Sequence, residues 1–141
     1  MVSNVRASIG VGLLIGLTLS ALLLLMTTTT AQAETVDECQ AEIAQARALL
    51  TDTTSLDYVD SFTNEKDRTG LIGKLDSASS KLSQGKTQNA LTNLTDIRDI
   101  KVPTLVAQGK LDQADADILL RETNEAITCV EGLQAQAPTA A

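Results

Sequence analysis

Two cysteines, Cys39 and Cys129, are the whole cysteine content of this 141-residue chain, and they stand 90 positions apart. In an oxidising compartment two thiols have a single intramolecular pairing, and that pairing brings both ends of the intervening segment together. Closing such a loop stabilises by on the order of 4 kcal/mol in the chain-entropy picture, a large share of a small domain's stability. A two-cysteine metal or redox centre would need close spacing or further ligands. The chain has no histidine to supply them. A structural Cys39–Cys129 disulfide is therefore expected, with no metal site and no cofactor.

The compartment is read from the N-terminus. Arg6 precedes an uncharged stretch from Ala7 to Met26, and Thr27–Thr30 leads into Ala31-Gln32-Ala33. This pattern reads as a secretory signal over residues 1–33 with an A-x-A cleavage site. The stretch is long for a signal core, so an uncleaved membrane anchor is the rival, since about 20 apolar residues span a bilayer. The Gly12/Gly16 spacing permits close packing of two membrane helices, but in a signal segment it serves only to weaken an over-strong helix. Val36-Asp37-Glu38 ahead of Cys39 is too acidic for a lipidation site. Cleavage removes Arg6 and takes the net charge from -7 to -8, leaving an acidic extracytoplasmic domain without the electrostatic footprint of a nucleic-acid binder.

Helical periodicity runs through the polar part of the chain. Cys39, Ile43, Ala46 and Leu50 mark one stripe from Val36. Thr51–Ser61 is turn-rich, with Tyr58, Val59 and Phe62 as its sizeable apolar anchors. Leu71, Leu75, Ala78 and Leu82 mark a second stripe ending at Gly85. From an N-cap at Thr87 a third follows, with Ala90, Leu91, Leu94, Ile97 and Ile100, until Pro103 kinks or breaks it. It resumes over 103–108 and closes at Gly109. A fourth helix, capped by Asp112, carries Ala116, Leu119, Leu120, Thr123, Ile127 and Val130 and ends near Leu133. No period-two alternation is sustained, so the expected fold is all-α: an up-down-up-down four-helix bundle over 34–133, with 134–141 as a flexible tail. Such a bundle sets the start of its first helix beside the end of its fourth, where the two cysteines lie.

Leu82-Ser83-Gln84-Gly85-Lys86 is echoed by Val106-Ala107-Gln108-Gly109-Lys110, each reading as a helix end, a glycine cap and a new helix. Gly73-Lys74-Leu75-Asp76 also recurs at 109–112, but its first copy falls inside a helix, so no solenoid repeat is inferred. With Thr69-Gly70-Leu71-Ile72 ahead of these residues and Ala90–Leu94 between the hairpins, the segment from Tyr58 to Val130 resembles the FIMAH-type helical module. The resemblance implies a small all-helical domain of secreted or surface-attached bacterial proteins. It is usually appended to protease, glycosidase or adhesion domains, and here it would stand alone. Arg98–Val102 departs from the apolar run expected there.

Candidate chemistry is thin. Lack of histidine removes Ser/His and Cys/His nucleophile pairs. Eighteen carboxylates guarantee close pairs on helices without singling out a catalytic couple. Ser83-Gln84-Gly85-Lys86 matches an acylating S-x-x-K spacing, yet its helix-end context explains it. Asp112, Asp115, Asp117 and Glu122 complement the start of the fourth helix, and Asp57, Asp60, Asn64, Glu65 and Asp67 form a loop cluster better able to wrap Ca2+. Asn93-Leu94-Thr95 is a chance sequon within a helix. Tyr58 and Phe62 read as a plug for the open end of the bundle. No catalytic residues are assigned. The expected function is a noncatalytic, secreted or envelope-associated interaction module for a protein or cell-envelope component. A secreted inhibitor of a hydrolase is the first alternative, and a membrane-anchored extracytoplasmic domain follows if the signal is retained.

Overall fold

The computed structural model describes residues 33–137. The expected signal segment, apart from Ala33, and the end of the expected tail beyond Ala137 lie outside the described residues. Those described are all-α: α1 (Val36–Thr51), α2 (Glu65–Ser83), α3 (Thr87–Asp96), a π-helical turn (Ile97–Lys101), α4 (Val102–Ala107) and α5 (Gln113–Gln136). Two of the long helices, α1 and α2, open on a side-chain cap. Thr35 and Glu38 form a reciprocal capping box at α1, a T-x-x-E signature legible in the sequence. Asn64 caps α2 by accepting the Lys66 N–H.

The two glycine-centred echoes are the same structure twice. Gly85 and Gly109 have φ of 71° and 64°, a region that favours residues without a Cβ. At each, the glycine N–H reaches Leu82 or Val106 and the following lysine N–H reaches Lys81 or Leu105, the two bonds of a Schellman end. Lys86 then accepts the N–H groups of Asn89 and Ala90. One residue thus closes α2 and opens α3, so the N-cap is Lys86 and not Thr87. Asp112 is the N-cap of α5 as expected by position, although its side chain makes no capping bond.

Buried positions along the third rod are Ala90, Leu94, Ile97, Val102 and Leu105. The five-residue step from Ile97 to Val102 is one an α-helix cannot keep on one face, and the π turn supplies it through the Val102 N–H bond to the Ile97 carbonyl. Two expectations are corrected. Pro103, which has no N–H to give, sits in the first turn of α4 and the rod is re-registered there instead of broken. Ile100, expected in the core, is 55% exposed because the wide turn rotates it outward.

The core joins the predicted stripes: Ile43, Leu50, Leu75, Leu82, Leu94, Ile97, Leu119 and Val130 are among its largest buried side chains. α1 packs on α2 and α5, and α3 packs on α2 and α5, which is the neighbour set an up-down-up-down bundle requires. Gln40 bonds the Ser79 carbonyl and Arg47 bonds Asp76, so α1 and α2 run antiparallel. The Asn93–Ser77 and Lys74–Asp96 contacts give the same sense to α2 and α3. Thr123, the buried polar residue of the core, donates its hydroxyl to the Leu119 carbonyl one turn back and so carries no unsatisfied group. α5 continues through Gln136, so residues 134–136 belong to the helix and not to the expected tail.

Candidate functional site: two grooves of opposite charge

Cys39 and Cys129 are bonded, with Cα atoms 5.3 Å apart, and tie the first turns of α1 to the last turns of α5. Both sulfurs are sheltered, Cys39 at 0% and Cys129 at 8% exposure. Beside them lies a cleft of about 690 Å³ between α1 and α5, with Glu34, Glu38, Glu42 and Glu125 on its walls and Arg121 as its cation. Burial leaves Glu34 Oε2 without a hydrogen-bond partner, and a Cβ added at Gly132 would lie 2.9 Å from it. Gly132 is therefore what lets the carboxylate settle against α5. Among the described residues, ligand-type atoms of three groups converge only at Glu34, Cys39 and Cys129, and the two sulfurs are spent on each other.

The two acidic clusters of the sequence are drawn apart into structural duties. Asp115 accepts the Ser61 N–H, and Ser61 Oγ accepts the Asp112 N–H, stitching the 52–64 loop to the start of α5. Asp117 accepts from Gln113, and Glu122 pairs with Arg121, whose guanidinium is held above its ordinary pKa chiefly by that hydrogen bond. In the loop cluster Asn64 is a cap, Glu65 lies 3.3 Å from Arg68, and Asp67 lies 3.6 Å from Lys110.

Val59, with 0% exposure and its N–H on the Leu49 carbonyl, is the residue that seals the loop onto the bundle. The aromatic rings add a seat for a cation. The Arg68 guanidinium stands 5.2 Å from the Tyr58 centroid and 5.4 Å from that of Phe62, and also donates to the Tyr58 hydroxyl. Both rings remain half-buried. Tyr58 and Phe62 thus fix Arg68 by cation–π contact, with Phe62 also packed on the edge of the core. Ser83 and Lys86 serve the α2 end: Ser83 Oγ donates to the Ser80 carbonyl and Lys86 Nζ to Gln84. Asn93 of the sequon is turned to Ser77.

A second groove, of about 380 Å³, opens between α2 and the π turn with α4. Four of the chain's six lysines, Lys66, Lys74, Lys101 and Lys110, line it. Lys74 is paired with Asp96 at 2.7 Å and Lys110 with Asp67, while among the described residues Lys66 and Lys101 form no ion pair. Leu71, Leu105 and exposed Ile100 give the groove an apolar wall. Sequence reading missed this site because its residues come from segments about 30 positions apart and are assembled by the re-registered rod. The six lysines are spread from position 66 to 110 in the sequence, so no local signal marked the groove.

Comparison of the chain with protein-family models, with characterised proteins and with solved structures finds no match to any of the three. The FIMAH-type resemblance accordingly rests on the helix-hairpin residues alone.

Proposed function

We propose that this chain works outside the cytoplasm as a noncatalytic helical interaction module whose partner is a protein or a cell-envelope component. The observation that carries the reading is the Cys39–Cys129 disulfide, since a structural bridge persists where the surroundings are oxidising. It also ties α1 to α5 beside the acidic cleft, which lowers the ordering cost a partner of that cleft must overcome. The noncatalytic part rests on composition: the chain has no histidine for a Ser/His or Cys/His nucleophile pair. Among the described residues no helix is long and apolar enough to cross a membrane.

The test is sedimentation of the oxidised chain, purified from culture medium, with washed envelopes, followed by cross-linking to identify what is retained. Saturable retention lost on reduction supports the module. Stoichiometric loss of activity by one captured hydrolase would replace it with the inhibitor reading, and turnover of envelope polymers by the chain alone would overturn it.

A further inference from the structure

The lysine groove is a concentration of positive charge that the rest of the chain argues against. The whole protein carries -7, yet the groove lining holds four lysines against one carboxylate, Asp67. Asp67 is matched by Lys110 Nζ at 3.6 Å and Lys74 by Asp96, which leaves Lys66 and Lys101, without an ion pair among the described residues, as the lysines with spare donors for an additional anion. Each ammonium offers three N–H groups and no acceptor.

The shape agrees with the charge. A volume of about 380 Å³ falls within the range of about 300–1,000 Å³ typical of small-molecule sites. Leu71, Leu105 and Ile100 supply apolar wall on one side, and Ile100 is turned to it by the π turn, a helix distortion common at functional sites. Gly70 lines the same groove inside α2, where glycine weakens a helix, and nothing lies within 4 Å of a Cβ built there. No packing contact requires that glycine, and a larger side chain at 70 would occupy the groove.

We propose that this groove binds a small organic anion: a carboxylate or phosphate carried on an alkyl or aryl body, with the anionic end among Lys66, Lys101 and Lys110 and the body along Leu71, Leu105 and Ile100. A flat anionic membrane is the weaker occupant, because a chain of this net charge is repelled from such a surface at long range while a small anion enters the groove below the repelling faces. The proposal stands apart from the interaction-module reading and survives its failure.

The test is amide NMR titration of the full oxidised chain at low salt with octyl phosphate, octanoate, inorganic phosphate and octyltrimethylammonium. The expected result is saturable shifts confined to residues 66–74 and 97–110 with octyl phosphate, octanoate or both, weaker shifts with inorganic phosphate and none with the cation. Lys66→Gln and Lys101→Gln each weaken binding about tenfold, the loss of one charge-assisted contact, and Lys86→Gln leaves it unchanged. Gly70→Leu abolishes binding with circular dichroism intact, while Gly70→Ala keeps both. Equal shifts with octyltrimethylammonium, no shifts with either octyl anion, or undiminished affinity in both lysine variants overturns the proposal. Sedimentation with phosphatidylglycerol vesicles in the absence of octyl-anion binding overturns it in favour of membrane docking.

Discussion

Removing the disulfide is the perturbation whose size follows most directly from the structure. The bridge closes a loop of 90 residues. Chain-entropy arithmetic gives that closure about 4.6 kcal/mol at 25 °C, through its effect on the unfolded ensemble. Cys39 and Cys129 sit in a packed end of the bundle at 0% and 8% exposure, so alanine at both positions loses some sulfur packing in addition. Against a total of about 5–15 kcal/mol for a small domain, the double variant keeps its helices but loses a third or more of its stability. Its thermal midpoint falls by about 20 °C, taking a domain of about 100 residues. Urea unfolding followed by circular dichroism reads the stability, and a thermal scan reads the midpoint. The slope against denaturant should rise, because an unbridged unfolded chain exposes more surface. A loss under about 1 kcal/mol with an unchanged slope would refute the reasoning, since the bridge would then constrain nothing the bundle does not already hold.

Three further outcomes are expected. Deletion of Ile100 removes the extra residue of the π turn and restores an α-spacing from Ile97 to Val102, but sets the Pro103 ring against the preceding turn; it costs about 3 kcal/mol, and adding Pro103→Ala recovers most of that in a chemical melt. Glycine-to-alanine changes have opposite signs by position: Gly85→Ala and Gly109→Ala, at φ of 71° and 64°, each lose about 1–2 kcal/mol, whereas Gly70→Ala, whose Cβ meets nothing, gains about 0.4–1 kcal/mol, all read by thermal unfolding. Asp52, held below its ordinary pKa of 3.8 chiefly by the Thr54 hydroxyl, contributes a small stabilisation that is present above its unfolded pKa and is lost as pH falls through the lower folded value. In Thr54→Ala the Asp52 carboxyl, followed by NMR, titrates closer to 3.8.

Much of the architecture was legible one residue at a time. Apolar side chains at three- and four-residue spacing named α1, α2 and α5 because a helix buries one stripe and each stripe is local. The paired Gln-Gly-Lys segments named both Schellman ends because a left-handed residue after a helix selects glycine. Two cysteines allowed one pairing. What remained hidden was decided by packing between distant segments. Whether Pro103 breaks its helix depends on which face must stay buried against α2 and α5, and the core demand for Val102 after Ile97 selected a π turn over a break. That choice put Ile100 outside and carried Lys101 to the same groove as Lys66 and Lys74. Tyr58 and Phe62 meet Arg68 only because the fold lays the 52–64 loop over the start of α2. Periodicity and cap chemistry are properties of neighbours along the chain, so sequence alone determined them; the register of the third rod and the company each charge keeps are settled by competition for buried volume, which only the folded chain resolves.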